Sequence, residues 1–121
     1  MGFAEAVENA LDTMVQSMSG GGEERPGQRT MARAVAETFA PGGHLVIQAG
    51  TGTGKTLAYL LPAAMSGKRT VVATFTKALQ DQMVESDLPM VRDYIRGATG
   101  GEFSFAEVKG WSNYLCRERL D

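Results

Sequence analysis

Cysteine is almost absent from this chain of 121 residues, which contains Cys116 alone. A single cysteine cannot form an internal disulfide, so the chain is not a disulfide-stabilised scaffold, and its composition fits a reducing cytoplasm. Histidine is equally scarce: His44 has no cysteine, aspartate or second histidine near it in the sequence. We therefore expect His44 to have a structural role rather than a catalytic or metal-binding one.

Long apolar runs and a large excess of one charge are also missing. No run approaches the roughly 20 residues that a membrane-spanning helix needs, and the N-terminus lacks the basic and apolar regions of a secretory signal. The formal net charge of -2 gives the whole chain no strong attraction to nucleic acid. With 43% hydrophobic and 21% charged residues, the composition predicts one small soluble domain without membrane contact.

Apolar residues recur along the chain with both helical and strand-like periods. The helical spacings predict helices over residues 3–18, 28–39, 55–65, 77–86 and 113–120, with a loop and short helix over 87–97. Apolar runs and one alternating segment predict strands over residues 44–49, 70–75 and 103–108. This order of elements predicts an α/β fold in which parallel strands are flanked by helices.

The segment AGTGTGKT stands between a predicted strand and a predicted helix. Glycines let consecutive backbone N–H groups turn toward a phosphate, and the following helix adds the positive end of its dipole. A lysine here reaches the β- and γ-phosphates of a nucleotide, and the next hydroxyl ligates Mg²⁺. The predicted site comprises Ala49, Gly50, Thr51, Gly52, Thr53, Gly54, Lys55 and Thr56, with Lys55 and Thr56 as catalytic residues and Thr56 as the Mg²⁺ ligand. The alternative is a glycine-rich turn without a ligand.

The segment RPGQ, upstream of this loop, supplies two further candidates for the nucleotide site, Arg25 and Gln28. A glutamine side chain can pair with the N6 and N7 edge of adenine, so Gln28 could select ATP over GTP. The alternative is that Gln28 is only a polar residue on the first turn of a helix.

A second junction of strand, turn and helix follows at ATFTKALQDQM. Thr74, Thr76 and the first N–H groups of the helix are suited to hold phosphate oxygens of a nucleic-acid strand. Lys77, Gln80 and Gln82 complete this predicted contact with a nucleic-acid strand. The alternative for these residues is helix capping and solvated surface.

Together, RPGQ, AGTGTGKT, ATFTKALQDQM and KGWSNYLC resemble the DinG/XPD-type superfamily 2 DNA helicases over about residues 23–121. The resemblance implies an incomplete RecA-like P-loop NTPase lobe, adenine recognition by Gln28 and DNA contact by residues 74–82. It implies an ATP-dependent helicase that moves 5′ to 3′ on single-stranded DNA in replication or repair. It also implies that Cys116 is the first ligand of a [4Fe–4S] cluster. Because such a cluster normally needs four thiolates, the alternative is that Cys116 is a partly buried thiol.

The same resemblance divides the chain into three parts. These are an N-terminal helix and loop at 1–22, the front of motor lobe 1 at 23–110 and the start of an iron–sulfur segment at 111–121. No apolar run ends in the Asp-Glu pair that ATP hydrolysis uses, so we expect this pair and the second lobe beyond Asp121. The chain would then be an N-terminal piece of a helicase, inactive alone, with the remainder of that helicase as its partner.

Two other functions stay open. The first is a non-catalytic nucleotide-binding module that switches or recruits. The second is another P-loop NTPase such as a nucleotide kinase, which would transfer phosphate to a small acceptor and not respond to single-stranded DNA.

Overall fold

Five α-helices form most of the regular structure in the computed structural model, which describes residues 2–18, 25–50, 54–116 and 118. They are α1 (Phe3–Ser17), α2 (Pro26–Phe39), α3 (Lys55–Met65), α4 (Lys77–Gln82) and α5 (Leu88–Thr99). A π-helix, Met83–Asp87, joins α4 to α5, and a 3₁₀ turn covers Trp111–Asn113. The helices predicted from periodicity at the positions of α1, α2 and α3 are confirmed. Over the described ranges, each helix is too short or too polar to cross a bilayer.

Helix α3 lies at the centre of the hydrophobic core because it is apolar on most of its circumference. Leu57, Ala58, Leu60, Leu61 and Ala63 are all buried. The helices α1, α2 and α5 pack around α3. Their buried core side chains are Val7, Ala10, Leu11 and Met14 from α1, Ala32 and Ala36 from α2, and Val91 from α5. This packing fixes the position of the first turn of α3, where the candidate site begins.

A charged cluster attaches α1 to α2 beside this core. Glu8 is 7% exposed, and its carboxylate lies 3.5 Å from Arg29 Nε and 3.3 Å from Arg33 Nη1. Arg29 Nη1 also donates to Asp12 Oδ2 at 2.7 Å. Burial of an unpaired carboxylate would be costly, so the two arginines allow Glu8 to sit at the helix interface. Helix α1 therefore shares one core with α2 and α3, whereas the division at residue 22 stays a prediction.

The predicted strands at 44–49, 70–75 and 103–108 are wrong for the described chain, in which these segments form no strand. Strand-like alternation is nevertheless present: Val46 is 96% exposed, whereas Leu45 and Ile47 on either side are 42% and 37% exposed. A strand also needs a neighbour about 4.8 Å away with which to exchange backbone hydrogen bonds. No backbone hydrogen bond joins these three segments to one another in the described ranges. These three segments therefore have residue patterns typical of strands, but they lack the backbone hydrogen bonds that would join them into a sheet.

The chain after residue 76 is more helical than the sequence predicts. The helix predicted over 77–86 becomes π-helical at Met83, and α5 then continues through the loop predicted within 87–97, so that loop is wrong. Pro89 is compatible with this continuity because it lies in the first turn of α5, where a missing N–H is tolerated. The helix predicted over 113–120 is wrong at residues 114–116, which are not helical. Residues 117, 119 and 120 of that prediction lie outside the described residues.

Candidate functional site

The first turn of α3 carries the lysine and the hydroxyl that the sequence pattern singles out. Gly54 precedes the helix with φ +74° and ψ 32°, in the left-handed region that favours glycine. Lys55 and Thr56 are then the first two residues of α3. The first N–H groups of an α-helix have no intrahelical acceptor, and the helix dipole favours negative charge at this end. This end of α3 is therefore suited to an anionic group.

The Lys55 side chain extends back toward Ala49. Its amine Nζ donates to the Ala49 carbonyl oxygen at 3.5 Å, and the residue is exposed. Residues 51–53, which the sequence also assigns to this loop, lie outside the described residues. A long, exposed hydrogen bond is weak, so a phosphate oxygen could replace the carbonyl as the partner of the amine. The lysine is thus positioned to exchange an internal acceptor for an anionic one.

Gln28 contacts Gly54, the last residue before α3. It is 5% exposed, and its Nε2 donates to the Gly54 carbonyl oxygen at 2.9 Å. A Cβ at Gly54 would overlap Gln28 Nε2 and would lie 2.9 Å from Gln28 Cδ and 3.2 Å from Arg25 Nη1. Gln28 therefore contacts the residue that precedes α3, and Arg25 Nη1 lies close to the position a side chain there would take. Because this contact uses only one of the two amide hydrogens, adenine recognition by Gln28 stays a prediction.

These contacts fit a nucleotide phosphate with its Mg²⁺. The Gln28 amide occupies the space that a Cβ at Gly54 would take, the Lys55 side chain is exposed, and the Thr56 hydroxyl lies at the same end of α3. These are the donors and the oxygen ligand that a Mg²⁺-bound phosphate group requires.

Tyr59 lies about one turn beyond Thr56 on α3, and the sequence did not single it out. Burial raises the pKa of Tyr59, and the charge of Asp87 adds to this rise. The spacing of three residues from Thr56 on one helix was the signal that could have identified Tyr59.

Asp87, at the end of the π-helix, was also missed from the sequence. It is 8% exposed, and its Oδ2 has no hydrogen-bond partner in the described part of the chain. Burial raises the pKa of this carboxyl group. A carboxylate in such an environment is typical of sites with a functional constraint, because it destabilises the fold unless something compensates for it.

The threonines predicted to contact DNA surround the start of α4. Thr76 caps this helix, since its Oγ1 accepts a hydrogen bond from the Leu79 backbone N–H at 3.3 Å. Thr74 Oγ1 donates to the Thr76 carbonyl oxygen at 3.1 Å. The capping alternative is thus observed for Thr76, and contact of either threonine with DNA stays a prediction.

The segment around Lys109 packs against α4 through polar contacts. Gln80 Nε2 donates to the Val108 carbonyl oxygen at 2.9 Å, and Lys109 Nζ lies 2.9 Å from Asp81 Oδ1. Lys109 Nζ also lies 3.4 Å from Glu107 Oε1. One of the predicted DNA contacts, Gln80, therefore already makes a hydrogen bond within the chain.

Lys77 and Gln82 are exposed residues among those predicted to contact DNA. Both are exposed on α4, and neither has an ion pair or side-chain hydrogen bond within the described ranges. They are therefore free to meet a ligand from solution.

The donor set around Cys116 does not fit an iron–sulfur cluster. Cys116 is exposed and free, so the alternative of a partly buried thiol is wrong. Three or more cysteine, histidine, aspartate or glutamate side chains do not converge anywhere in the described ranges. One thiolate cannot hold a cluster that needs four, so Cys116 as the first ligand of a cluster in the whole helicase stays a prediction.

Comparison with known proteins identifies the family. The family model for DEAD/DEAH box helicases matches residues 25–100. The ATP-dependent helicase DinG of Mycobacterium tuberculosis is 49% identical over 104 residues, which cover 83% of this chain and 16% of that protein. The ATP-dependent DNA helicase YoaA of Escherichia coli is 48% identical over 101 residues, covering 84% of this chain and 15% of the relative. The 3'-5' exonuclease DinG of Bacillus subtilis is 36% identical over 121 residues, covering 97% and 13%.

The chain spans 13% to 16% of the length of these three relatives. No solved structure matches the chain. The relatives confirm the resemblance to DinG-type helicases, and the family model covers more than half of the chain, including Gln28, the start of α3 and α4. The chain belongs to the DEAD/DEAH box helicase family.

Proposed function

We propose that this chain binds ATP and Mg²⁺ at residues 49–56 and contributes that site to an ATP-dependent DNA helicase of the DinG type. The observation that carries the proposal is the start of α3. There, Gly54 in the left-handed conformation places Lys55 and Thr56 on the first helical turn, inside the segment that matches the helicase family. Family membership also supports a RecA-like lobe. In the described residues, the helices are the part of this lobe that forms regular secondary structure.

Each side chain in the site has a distinct role in this proposal. The Lys55 amine leaves the Ala49 carbonyl and binds the β- and γ-phosphate oxygens, while the Thr56 hydroxyl ligates Mg²⁺. Mg²⁺, when bound, neutralises negative charge on the phosphates. Gln28 reads the adenine edge with the amide atoms that its bond to Gly54 leaves available. Arg25 adds positive charge beside the start of α3.

Single-stranded DNA is the proposed second ligand, and its contact surface is α4 with the preceding threonines. Lys77 and Gln82 meet the DNA backbone first because they are exposed. Thr74 and Thr76 lie just before α4. Gln80 contacts the DNA once its hydrogen bond to the Val108 carbonyl is broken. Movement in the 5′ to 3′ direction, driven by ATP hydrolysis, is the proposed activity of the whole helicase.

The DNA part of the proposal is tested by fluorescence anisotropy with a labelled oligo-dT of about 20 nucleotides at low ionic strength. We expect Lys77→Ala to weaken binding and to reduce the slope of log affinity against log salt by about 0.7, because one phosphate contact is lost. Arg96→Ala removes an exposed positive charge from α5 and serves as the control, which should bind as the wild type does. Equal binding by the Lys77→Ala variant would contradict this DNA surface.

A further inference from the structure

The first turn of α2 contacts α1 on one side and the start of α3 on the other. Arg29 points to α1, where its Nη1 donates to Asp12 Oδ2 at 2.7 Å and its Nε lies 3.5 Å from Glu8 Oε1. Gln28, the preceding residue, donates through Nε2 to the Gly54 carbonyl oxygen at 2.9 Å. Consecutive side chains on an α-helix are about 100° apart, so a single turn can make both contacts. Gln28 and Arg29 are therefore held, or released, together.

This turn has few restraints of its own. Arg25, the N-cap residue of α2, makes no side-chain capping hydrogen bond, and the first turn has no acidic side chain to favour the helix dipole. Pro26 suits the first helical position, but Gly27 follows it, and glycine loses more conformational freedom in a helix than any other residue. A helix end of this composition frays unless tertiary contacts hold it.

Glu8 gives the contact with α1 a fixed geometry. It is buried, and besides its ion pair with Arg29 it accepts from Arg33 Nη1, at 3.3 Å and 3.5 Å to its two oxygens. A buried carboxylate is costly unless it is paired, so α1 packs favourably on α2 only where both arginines reach Glu8. The ion pairs thus fix where along α1 the first turn of α2 lies.

We propose that helix α1 positions Gln28 for the nucleotide through the ion pairs that Asp12 and Glu8 make with α2. By holding Arg29, these carboxylates keep the Gln28 amide at the start of α3. The inference rests on the proposed function, since Gln28 belongs to the proposed nucleotide site. Helix α1 lies before residues 25–100, which the family model matches, so the inference gives a role to a helix outside that match. Asp12 and Glu8 are positioning residues, because they act on the nucleotide only through α2.

The first test is the affinity for a fluorescent ATP analogue with Mg²⁺. We expect Asp12→Asn to weaken binding about 2- to 5-fold, the range of an exposed ion pair. Combining it with Glu8→Gln should weaken binding about 3- to 10-fold, the effect of one hydrogen bond. Electrostatics alone would do the opposite, because the loss of negative charge favours an anionic nucleotide. Neither variant should lose further affinity in a Gln28→Ala background, and unchanged or tighter binding by the double variant would overturn the inference.

Glu37→Gln is the matched control for Asp12→Asn. Glu37 also pairs with an arginine of α2, since its Oε1 lies 3.2 Å from Arg33 Nε, but it belongs to the last turn of the helix. This variant removes one negative charge, as Asp12→Asn does, and should keep wild-type nucleotide affinity. Because the Asp12 and Glu37 side chains are 41% and 60% exposed, both variants should remain folded. An equal loss of affinity in Glu37→Gln would overturn the role of α1.

The second test needs no nucleotide. In a ¹H–¹⁵N correlation spectrum, Asp12→Asn should shift the side-chain NH₂ signals of Gln28 toward those of a free glutamine, whereas Glu37→Gln should leave them in place. Unmoved Gln28 signals in Asp12→Asn would overturn the inference. If these signals respond but the wild-type chain binds no nucleotide, the proposed function is contradicted, and the effect of α1 on nucleotide affinity with it.

Discussion

Replacing Lys55 with alanine is expected to weaken MgATP binding at least about 100-fold. The amine is the cation in the site that can reach the phosphates from the first turn of α3, and it makes no ion pair within the described residues that would have to be broken first. Loss of a charged group from a site that binds a charged ligand typically costs about 2–5 kcal/mol, and about 2.7 kcal/mol corresponds to 100-fold. Titration with a fluorescent ATP analogue in the presence of Mg²⁺ measures the effect.

Lys77 provides the matched control because it is also an exposed lysine at the first position of a helix. Lys77→Ala should retain nucleotide affinity within about twofold, because it lies on α4 rather than at the loop of residues 49–56. Nucleotide affinity within threefold of wild type in Lys55→Ala would place the phosphate site elsewhere.

Replacing Gly54 with alanine is expected to destabilise the protein by about 2–5 kcal/mol. The left-handed conformation at φ +74° costs a residue with a Cβ about 1–2 kcal/mol. The new methyl group would also displace the Gln28 amide, which would break the hydrogen bond to the Gly54 carbonyl and leave buried polar atoms unpaired. An unpaired buried polar group adds about 1–3 kcal/mol. Urea unfolding curves give the free energy of unfolding of each variant.

The Gly67→Ala variant separates the cost of the left-handed conformation from the cost of displacing the Gln28 amide. Gly67 has a similar φ of +69°, but a Cβ there would meet no atom within 4 Å among the described residues. This variant should lose only the conformational part, about 1–2 kcal/mol. Adding Gln28→Ala to Gly54→Ala should recover part of the loss by removing the overlapping amide. Equal destabilisation by Gly54→Ala and Gly67→Ala would show that the contact with Gln28 contributes nothing.

The sequence predicts the start of α3 well because the constraint there is local. A residue with positive φ, a lysine and a hydroxyl must follow one another at fixed positions, and all three are visible as Gly54, Lys55 and Thr56. The helices α1, α2 and α3 are likewise predictable, because each buries one apolar stripe or is apolar on most sides.

The sequence predicts strands that the described chain lacks, because a segment becomes a strand only when a neighbouring segment pairs with it. Residues such as Val46 and Val71 have the apolar, β-branched character of a buried strand, yet they are 96% and 90% exposed. Apolar periodicity reports which side chains could be buried, but not whether a second segment lies within hydrogen-bonding distance.

The contacts of Gln28 and Tyr59 show what sequence spacing leaves out. Gln28 is separated from Gly54 by 26 residues, and Tyr59 from Met83 by 24 residues, so these contacts depend on how the helices pack. The sequence does not indicate that Asp87 is buried, because an aspartate before Leu-Pro is as compatible with an exposed helix start as with a buried position. Its burial follows from the π-helix, which the sequence pattern does not predict.

The most direct test of the central claim is a ¹H–¹⁵N correlation spectrum recorded during titration with MgATP. If residues 49–56 bind the nucleotide, the largest shifts should belong to the backbone amides of Gly50 and Gly54–Leu57, with smaller shifts at Gln28 and Tyr59. The same titration with MgGTP should give smaller shifts at Gln28, because that side chain is assigned to adenine. A spectrum in which these amides do not move, or in which the largest shifts lie away from the start of α3, would contradict the account.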